Sequence, residues 1–110
     1  MTAVVEGIRA GGLKVKPAGT LNQPFFRVPA QVFSIDGTDL QLYSFDSAAD
    51  AQKAAATVSS DGGSIGTNSM AWMAAPHFFL KGNLIAISIG GSAKTITGLQ
   101  RIFGPQFAGR

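Results

Sequence analysis

The chain contains no cysteine and a single histidine among its 110 residues. Without cysteine it has no disulfide, no thiolate metal ligand and no cysteine nucleophile. A tetrahedral zinc site would need several carboxylates beside the lone His77, and the aspartates fall mostly in predicted turns and helix caps. We therefore expect no metal and no cofactor, and a fold that is held by its apolar core alone.

Long apolar runs and clusters of basic residues are missing too. No stretch approaches the roughly 20 apolar residues that span a bilayer, and the first residues lack the regions of a signal peptide. Nine basic residues against six acidic ones give a net charge of +3. They are scattered, whereas nucleic-acid-binding proteins concentrate theirs on one face. We expect no membrane span, no nucleic-acid partner and, for the chain as written, a soluble cytoplasmic protein.

Length and composition favour one folded domain over residues 1–110. The chain is 45% hydrophobic and 14% charged, which is too apolar for intrinsic disorder. Its length is close to that of a typical domain, so it buries one core of useful size.

Two hairpins dominate the strand pattern. Asp36 and Gly37 separate two runs rich in β-formers within 27–45, and this dipeptide readily adopts a tight hairpin turn. Pro29 indicates a strand start, an edge or a bulge. A second hairpin turns at 81–83, and its second strand, 84–89, is apolar enough to be central, with Ile85, Ile87 and Ile89 on one face. A short edge strand, 13–16, is expected to stop at Pro17.

Three segments have helical spacing of their apolar residues. They are 2–12, with Thr2 as cap; 46–60, with Asp46 or Ser47 as cap; and 92–104, capped by Ser92. Residues 61–68 are predicted to form a loop. The order is α-β-β-β-α-β-β-α, which predicts an α+β fold: an antiparallel sheet of four or five strands with two or three helices packed mainly on one face, as a two-layer sandwich.

His77 is the one histidine that could carry catalysis. It lies between Pro76 and two phenylalanines, Phe78 and Phe79, which are expected to face opposite sides of a strand. Imidazole suits a general base, but the sequence has no Gly-x-Ser-x-Gly elbow, which argues against a serine hydrolase. The reading we favour for His77 is a structural ring at a strand irregularity.

The segment "GGSAK" could offer backbone N–H groups and a lysine to an anion through Gly91, Ser92 and Lys94. It is not a P-loop, and the simpler interpretation is a strand-to-helix turn with Ser92 as N-cap.

The aromatic residues either fill the core or line a ligand cleft. The candidate ligand-binding residues are Trp72, His77, Phe79, Phe25, Phe26 and Tyr43. The function that this set favours is a non-catalytic binding module for a small apolar or cationic molecule or a protein partner. Two alternatives stay open: a small enzyme with His77 as general base, and a structural protein that forms a homodimer through the apolar 27–45 hairpin.

Several stretches together resemble a family of small bacterial domains without a characterised activity, often found behind secretion or lipid-anchor signals. The stretches are "QPFFRVPAQV" at 23–32, "DGGSIGT" at 61–67, Trp72 followed by "PHFF", "GNLIAISIGG" and "GPQFAG". The resemblance implies a shared fold and a secreted or lipid-anchored precursor, and it brings no catalytic residues. This chain departs from the family in having no signal, no lipid-attachment cysteine, and Phe79 where relatives have tyrosine.

Overall fold

The computed structural model describes residues 2–109, with side chains from residue 4 onward, so the predicted cap Thr2 has its side chain outside the described residues. The helices are α1 (Thr2–Ala10), α2 (Ala48–Ala55) and α3 (Ala93–Phe103). The strands are β1 (Val15–Leu21), β2 (Ala30–Ile35), β3 (Thr38–Ser44), β4 (Ser64–Ile65), β5 (Asn68–Ser69), β6 (Pro76–Lys81), β7 (Leu84–Ile89) and β8 (Ala108–Gly109). The mixed α+β class and the antiparallel sheet are confirmed.

Both predicted hairpins are present. Strands β2 and β3 pair around Asp36 and Gly37, whose φ angles of 49° and 80° are those that an Asp-Gly hairpin turn requires. Strands β6 and β7 pair around 82–83. The order of the main sheet is β1-β2-β3-β7-β6-β8, so β7 is central as its composition predicts.

Helices cover both faces of this sheet. Side chains alternate along β3, so Leu40 and Leu42 pack with α1 and α3, whereas Tyr43 packs with α2. We call the first surface the α1/α3 face and the second the α2 face. Two of the three helices share one face, but the expected two-layer sandwich is corrected to three layers, because α2 lies on the opposite side.

The strand count also differs from the prediction. The main sheet has six strands, because the two-residue strand β8 pairs with His77 and Phe78 of β6. The predicted loop 61–68 contains β4 and the start of β5, which form a small separate sheet, and Ile65 within it is fully buried. Strands of two residues carry too few side chains for a period-two pattern, so the sequence does not reveal them.

Pro17 does not end β1. The strand continues to Leu21, with an irregular register between Pro17 and Gly19. Proline is tolerated there because β1 is an edge strand, where a missing N–H costs no pairing on the open side.

The N-caps of α2 and α3 are serines that the sequence predicts for these positions. The Ser47 hydroxyl accepts a hydrogen bond from the Asp50 N–H at 3.1 Å, and the Ser92 hydroxyl accepts one from the Thr95 N–H at 3.2 Å. None of the three helices within residues 2–109 combines the length and apolar character that crossing a membrane demands.

Candidate functional site

An aromatic cluster occupies the α2 face. It comprises Phe25, Phe26, Tyr43, Phe45, Trp72, Phe78 and Phe107. Neighbouring rings are 4.8 to 6.4 Å apart between centroids, and most meet edge to face. Such geometry adds to the stabilisation that burial alone provides.

The loop 22–29 brings two of these rings onto the sheet. Phe26 is buried with its centroid 4.8 Å from that of Tyr43 and 5.7 Å from that of Phe45. Phe45 is fixed in turn by Asn83, because each residue hydrogen-bonds to the other's backbone at 2.8 Å. Phe25 is only half-buried, so part of its ring stays accessible.

A cleft of about 380 Å³ separates this loop from α2, and we call it the α2 cleft. The loop from Phe25 to Val28 lines it on one side and α2 with the turn after it on the other, and Phe45 and Asp46 complete the lining. The helix approaches the sheet closely because Ala51 and Ala55 are the residues it buries.

Charges of both signs line the α2 cleft. Arg27 and Lys53 are the cations, and Asp46 and Asp50 are the carboxylates. All four are exposed, and within residues 2–109 the single ion pair is Arg9 with Glu6, so none of these four is paired with another. The cleft therefore offers unpaired charges of both signs beside an aromatic surface.

The six predicted ligand-binding residues divide between the two faces of the sheet. Phe25, Phe26, Tyr43 and Trp72 belong to the aromatic cluster, and only the first two line the α2 cleft. Phe79 is fully buried in the core of the α1/α3 face, as the opposite orientation of Phe78 and Phe79 predicts.

His77 also lies on the α1/α3 face, since it alternates with Phe78 along β6. Its Nδ1 is 2.9 Å from the Gln106 side-chain oxygen. An amide oxygen only accepts, so the ring donates through Nδ1. Within the described residues His77 makes no hydrogen bond to a carboxylate. The structure thus places it in a strand, bridging to the C-terminal segment, away from Trp72.

The three residues predicted to bind an anion have different surroundings. The Ser92 hydroxyl is engaged as the cap of α3, and Gly91 is at φ 125° with a Cβ position only 3.2 Å from Ile96 Cδ1. Lys94 instead borders a shallow groove between the end of α1 and α3, together with Thr97 and Arg101.

No group of three histidine, aspartate or glutamate side chains comes together within the described part of the chain in a way that would hold a metal ion.

The charged lining of the α2 cleft was not predicted from the sequence. Asp46 was predicted only as a possible helix cap, and Asp50 and Lys53 belong to no motif. Helical spacing does put Asp50, Lys53 and Ala54 on one side of α2. What no local pattern indicates is that the loop 22–29 folds back opposite that side.

No family model, curated protein or solved structure matches the chain. The resemblance to small secreted or lipid-anchored bacterial domains therefore stays a prediction.

Proposed function

We propose that the protein is a non-catalytic binding module whose α2 cleft takes up a small molecule with an apolar body and ionic groups of both signs. One observation carries the proposal: an aromatic-walled cleft of about 380 Å³ lined by two cations and two carboxylates that are not paired with each other. Ligand pockets commonly measure roughly 300 to 1,000 Å³ and combine apolar walls with a few polar groups.

The balance of charge favours a zwitterion over a simple cation. A cation alone would meet Asp46 and Asp50 but also Arg27 and Lys53 in the same cleft. A ligand carrying both signs satisfies the two cations and the two carboxylates, while its apolar body packs on Phe25 and Phe45.

The two alternatives receive less support. The enzyme alternative rests on His77 as general base, and His77 lies on the other face of the sheet from the α2 cleft and bonds to Gln106. Dimerisation through the 27–45 hairpin would need exposed apolar side chains there. Its large apolar residues are buried within the chain, apart from half-buried Val28 and Val32.

The test compares three probes that share a phenyl ring: L-phenylalanine as the zwitterion, phenethylamine as the cation and 3-phenylpropionate as the anion. A ligand that binds the native state raises the melting midpoint, and at equal concentration the tighter ligand raises it more. We expect L-phenylalanine to raise the midpoint most. No shift with any probe, or equal shifts with all three, would contradict the proposal.

A matched pair of lysine variants locates the binding. Lys53→Ala should raise the Kd for L-phenylalanine about fivefold, because an exposed ion pair contributes up to about 1 kcal/mol. Lys16→Ala removes an exposed lysine from the edge strand β1 and should leave the Kd unchanged. Calorimetric titration measures both, and equal behaviour of the two variants would place the ligand elsewhere.

A further inference from the structure

A run of apolar residues lies exposed on the surface beside the aromatic cluster. The segment 70–75, "MAWMAA", contains no polar side chain except the Trp72 indole nitrogen, and it forms no helix or strand. Met73 is 100% exposed, and the three alanines are exposed too. Consecutive exposed apolar residues of this kind are unfavourable in a free monomer and mark interaction surfaces.

The segment is nevertheless held in place by its backbone and by Trp72. The Trp72 indole N–H donates to the Gly62 carbonyl oxygen at 2.7 Å. The Met70 N–H donates to the Gly63 carbonyl oxygen at 2.9 Å, and the Ala75 carbonyl oxygen accepts from the Gly90 N–H at 2.8 Å. The apolar side chains are thus presented on an ordered support, which lowers the entropic cost of binding.

A groove of about 400 Å³ runs beside this segment, and we call it the Met-Trp groove. Asp39, Gln41 and Ile89 of the sheet and Gln23 of the loop 22–29 complete its lining. It lies on the α2 face, where Trp72, 6.4 Å from Phe25 between ring centroids, separates it from the α2 cleft.

Gln41 places an unused hydrogen-bond donor in the Met-Trp groove. The side chain is 5% exposed, and its Oε1 accepts from the Tyr43 hydroxyl. Within residues 2–109 its Nε2 donates to no acceptor, and no side-chain nitrogen in that range is both fully enclosed and unpaired. Nε2 therefore opens onto the groove. A ligand with a carbonyl oxygen there would replace solvent as the acceptor for this N–H group and gain a hydrogen bond.

Among the described residues that line the Met-Trp groove, Asp39 carries the one charge, and it is negative. Asp39 is exposed and makes no ion pair within the described residues, and no lysine, arginine or histidine lines the groove. A cationic ligand group is therefore favoured.

We propose that the Met-Trp groove binds an extended peptide segment of a partner protein that carries an apolar side chain next to a lysine or arginine. A peptide carbonyl accepts from Gln41 Nε2, the basic side chain pairs with Asp39, and the apolar one packs against Met73 and Trp72. Methionine adapts its shape to varied partners, which suits such a surface. This second site does not depend on the α2 cleft.

A membrane surface and a second copy of the chain both match the negative charge of the groove less well than a basic peptide does. An anionic membrane surface attracts basic clusters, and this groove has a carboxylate instead. A second copy docking through a two-fold contact would bring Asp39 of both copies to one surface without a cation.

Three capped tetrapeptides test the proposal: acetyl-Ala-Leu-Lys-Ala-amide, the same peptide with Glu for Lys, and the same peptide with Ser for Leu. Trp72 is the single tryptophan, so its fluorescence reports binding beside it. We expect a saturable change with the Leu-Lys peptide below about 10 mM and at least fivefold weaker binding of the other two. No saturable change with the Leu-Lys peptide, or equal binding of the Glu peptide, would overturn the proposal.

Surface variants locate the peptide without disturbing the fold. Asp39→Asn and Met73→Ser should each weaken the Leu-Lys peptide about fivefold. The matched controls are Asp50→Asn in the α2 cleft and Leu21→Ser, the other exposed large apolar residue among those described. Both controls should bind within a factor of two of the parent. If Asp50→Asn weakens binding and Asp39→Asn does not, the peptide occupies the α2 cleft and the proposal fails.

Sedimentation experiments show whether a second copy of the chain or a membrane occupies the groove instead of a peptide. A dimer that Met73→Ser dissociates would assign the groove to a second copy. Co-sedimentation with vesicles of phosphatidylcholine and phosphatidylglycerol that Met73→Ser abolishes would assign it to a membrane surface. Either outcome overturns the peptide proposal, whereas a monomer that ignores vesicles and binds the Leu-Lys peptide supports it.

Discussion

Gly62 shows how one residue position supports the aromatic cluster. It has a φ of 72°, and a Cβ built on it would lie 2.6 Å from Phe78 Cε1 and 3.1 Å from Pro76 Cγ. Its carbonyl oxygen also accepts the hydrogen bond from Trp72. Only glycine combines this backbone conformation with so close an approach to a ring.

Gly62→Ala should therefore destabilise the protein by about 2 to 4 kcal/mol, from backbone strain and overpacking together. Gly66→Ala is the matched control, because Gly66 has a φ of 60° but nothing within 4 Å of its Cβ position. It should cost only the strain, about 1 to 2 kcal/mol. Urea unfolding measures both, and equal losses would mean that the contact with Phe78 is not limiting.

Predictions about single residues were confirmed where the alternation of side chains along one strand decides which face of the sheet a residue occupies. Phe78 and Phe79 point to opposite faces as expected, because successive side chains in any strand do so. The same rule places His77 on the face opposite Phe78, and the structure shows that Trp72 packs against the Phe78 ring. The alternation of side chains does not indicate which face of the sheet carries a ligand cleft. The predicted ligand-binding residues therefore came from both faces.

At the scale of elements, the start of α3 depends on the hydrogen bond that its N-cap residue accepts. The Ser92 hydroxyl accepts from the Thr95 N–H, and Thr95, Leu99 and Phe103 of the helix are buried. The helix has no acidic residue in its first turn, so Ser92 alone among the described side chains satisfies a free N–H there.

Ser92→Ala should lower the free energy of unfolding by about 1 kcal/mol, the usual cost of losing a hydroxyl cap. Thr97→Ala is the control, since Thr97 is exposed on the same helix and alanine has the higher helix propensity. It should be neutral or slightly stabilising. Thermal or urea unfolding compares them, and an unchanged stability for Ser92→Ala would show that water replaces the cap without loss.

Elements with a strong local signal were predicted, and those shaped by neighbours were not. The Asp36-Gly37 turn and the cap at Ser92 act within a few residues of chain. Pro17 was expected to stop β1, but the register irregularity at Gly19 lets the edge strand continue. Strand β8 exists because β6 offers it a partner, which its own two residues do not reveal.

At the scale of the whole molecule, the sheet buries the single tyrosine between its layers. Tyr43 is fully buried and packs against Phe26. Burial raises the pKa of Tyr43 well above its ordinary value, because the phenolate would lose its hydration. The folded state therefore holds this proton more tightly than the unfolded chain does.

This difference predicts alkaline unfolding. A pKa raised by folding contributes stability that is complete below the unfolded pKa of about 10 and is lost as the pH rises toward the folded value. Tyrosinate absorbance should therefore appear together with loss of circular dichroism, and in denaturant it should titrate near pH 10. Ionisation of Tyr43 near pH 10 in the folded protein would contradict the burial.

The sequence by itself determined the α+β class, both hairpins, the central position of β7 and the caps of α2 and α3, because turn chemistry, capping and side-chain alternation act locally. Tertiary structure alone decided that β3 pairs with β7, that α2 lies opposite α1 and α3, and that Phe25 meets Trp72. Those contacts join segments far apart in the chain through packing that no local pattern encodes. The α2 cleft and the Met-Trp groove both arise from that packing, and so only the folded chain reveals them.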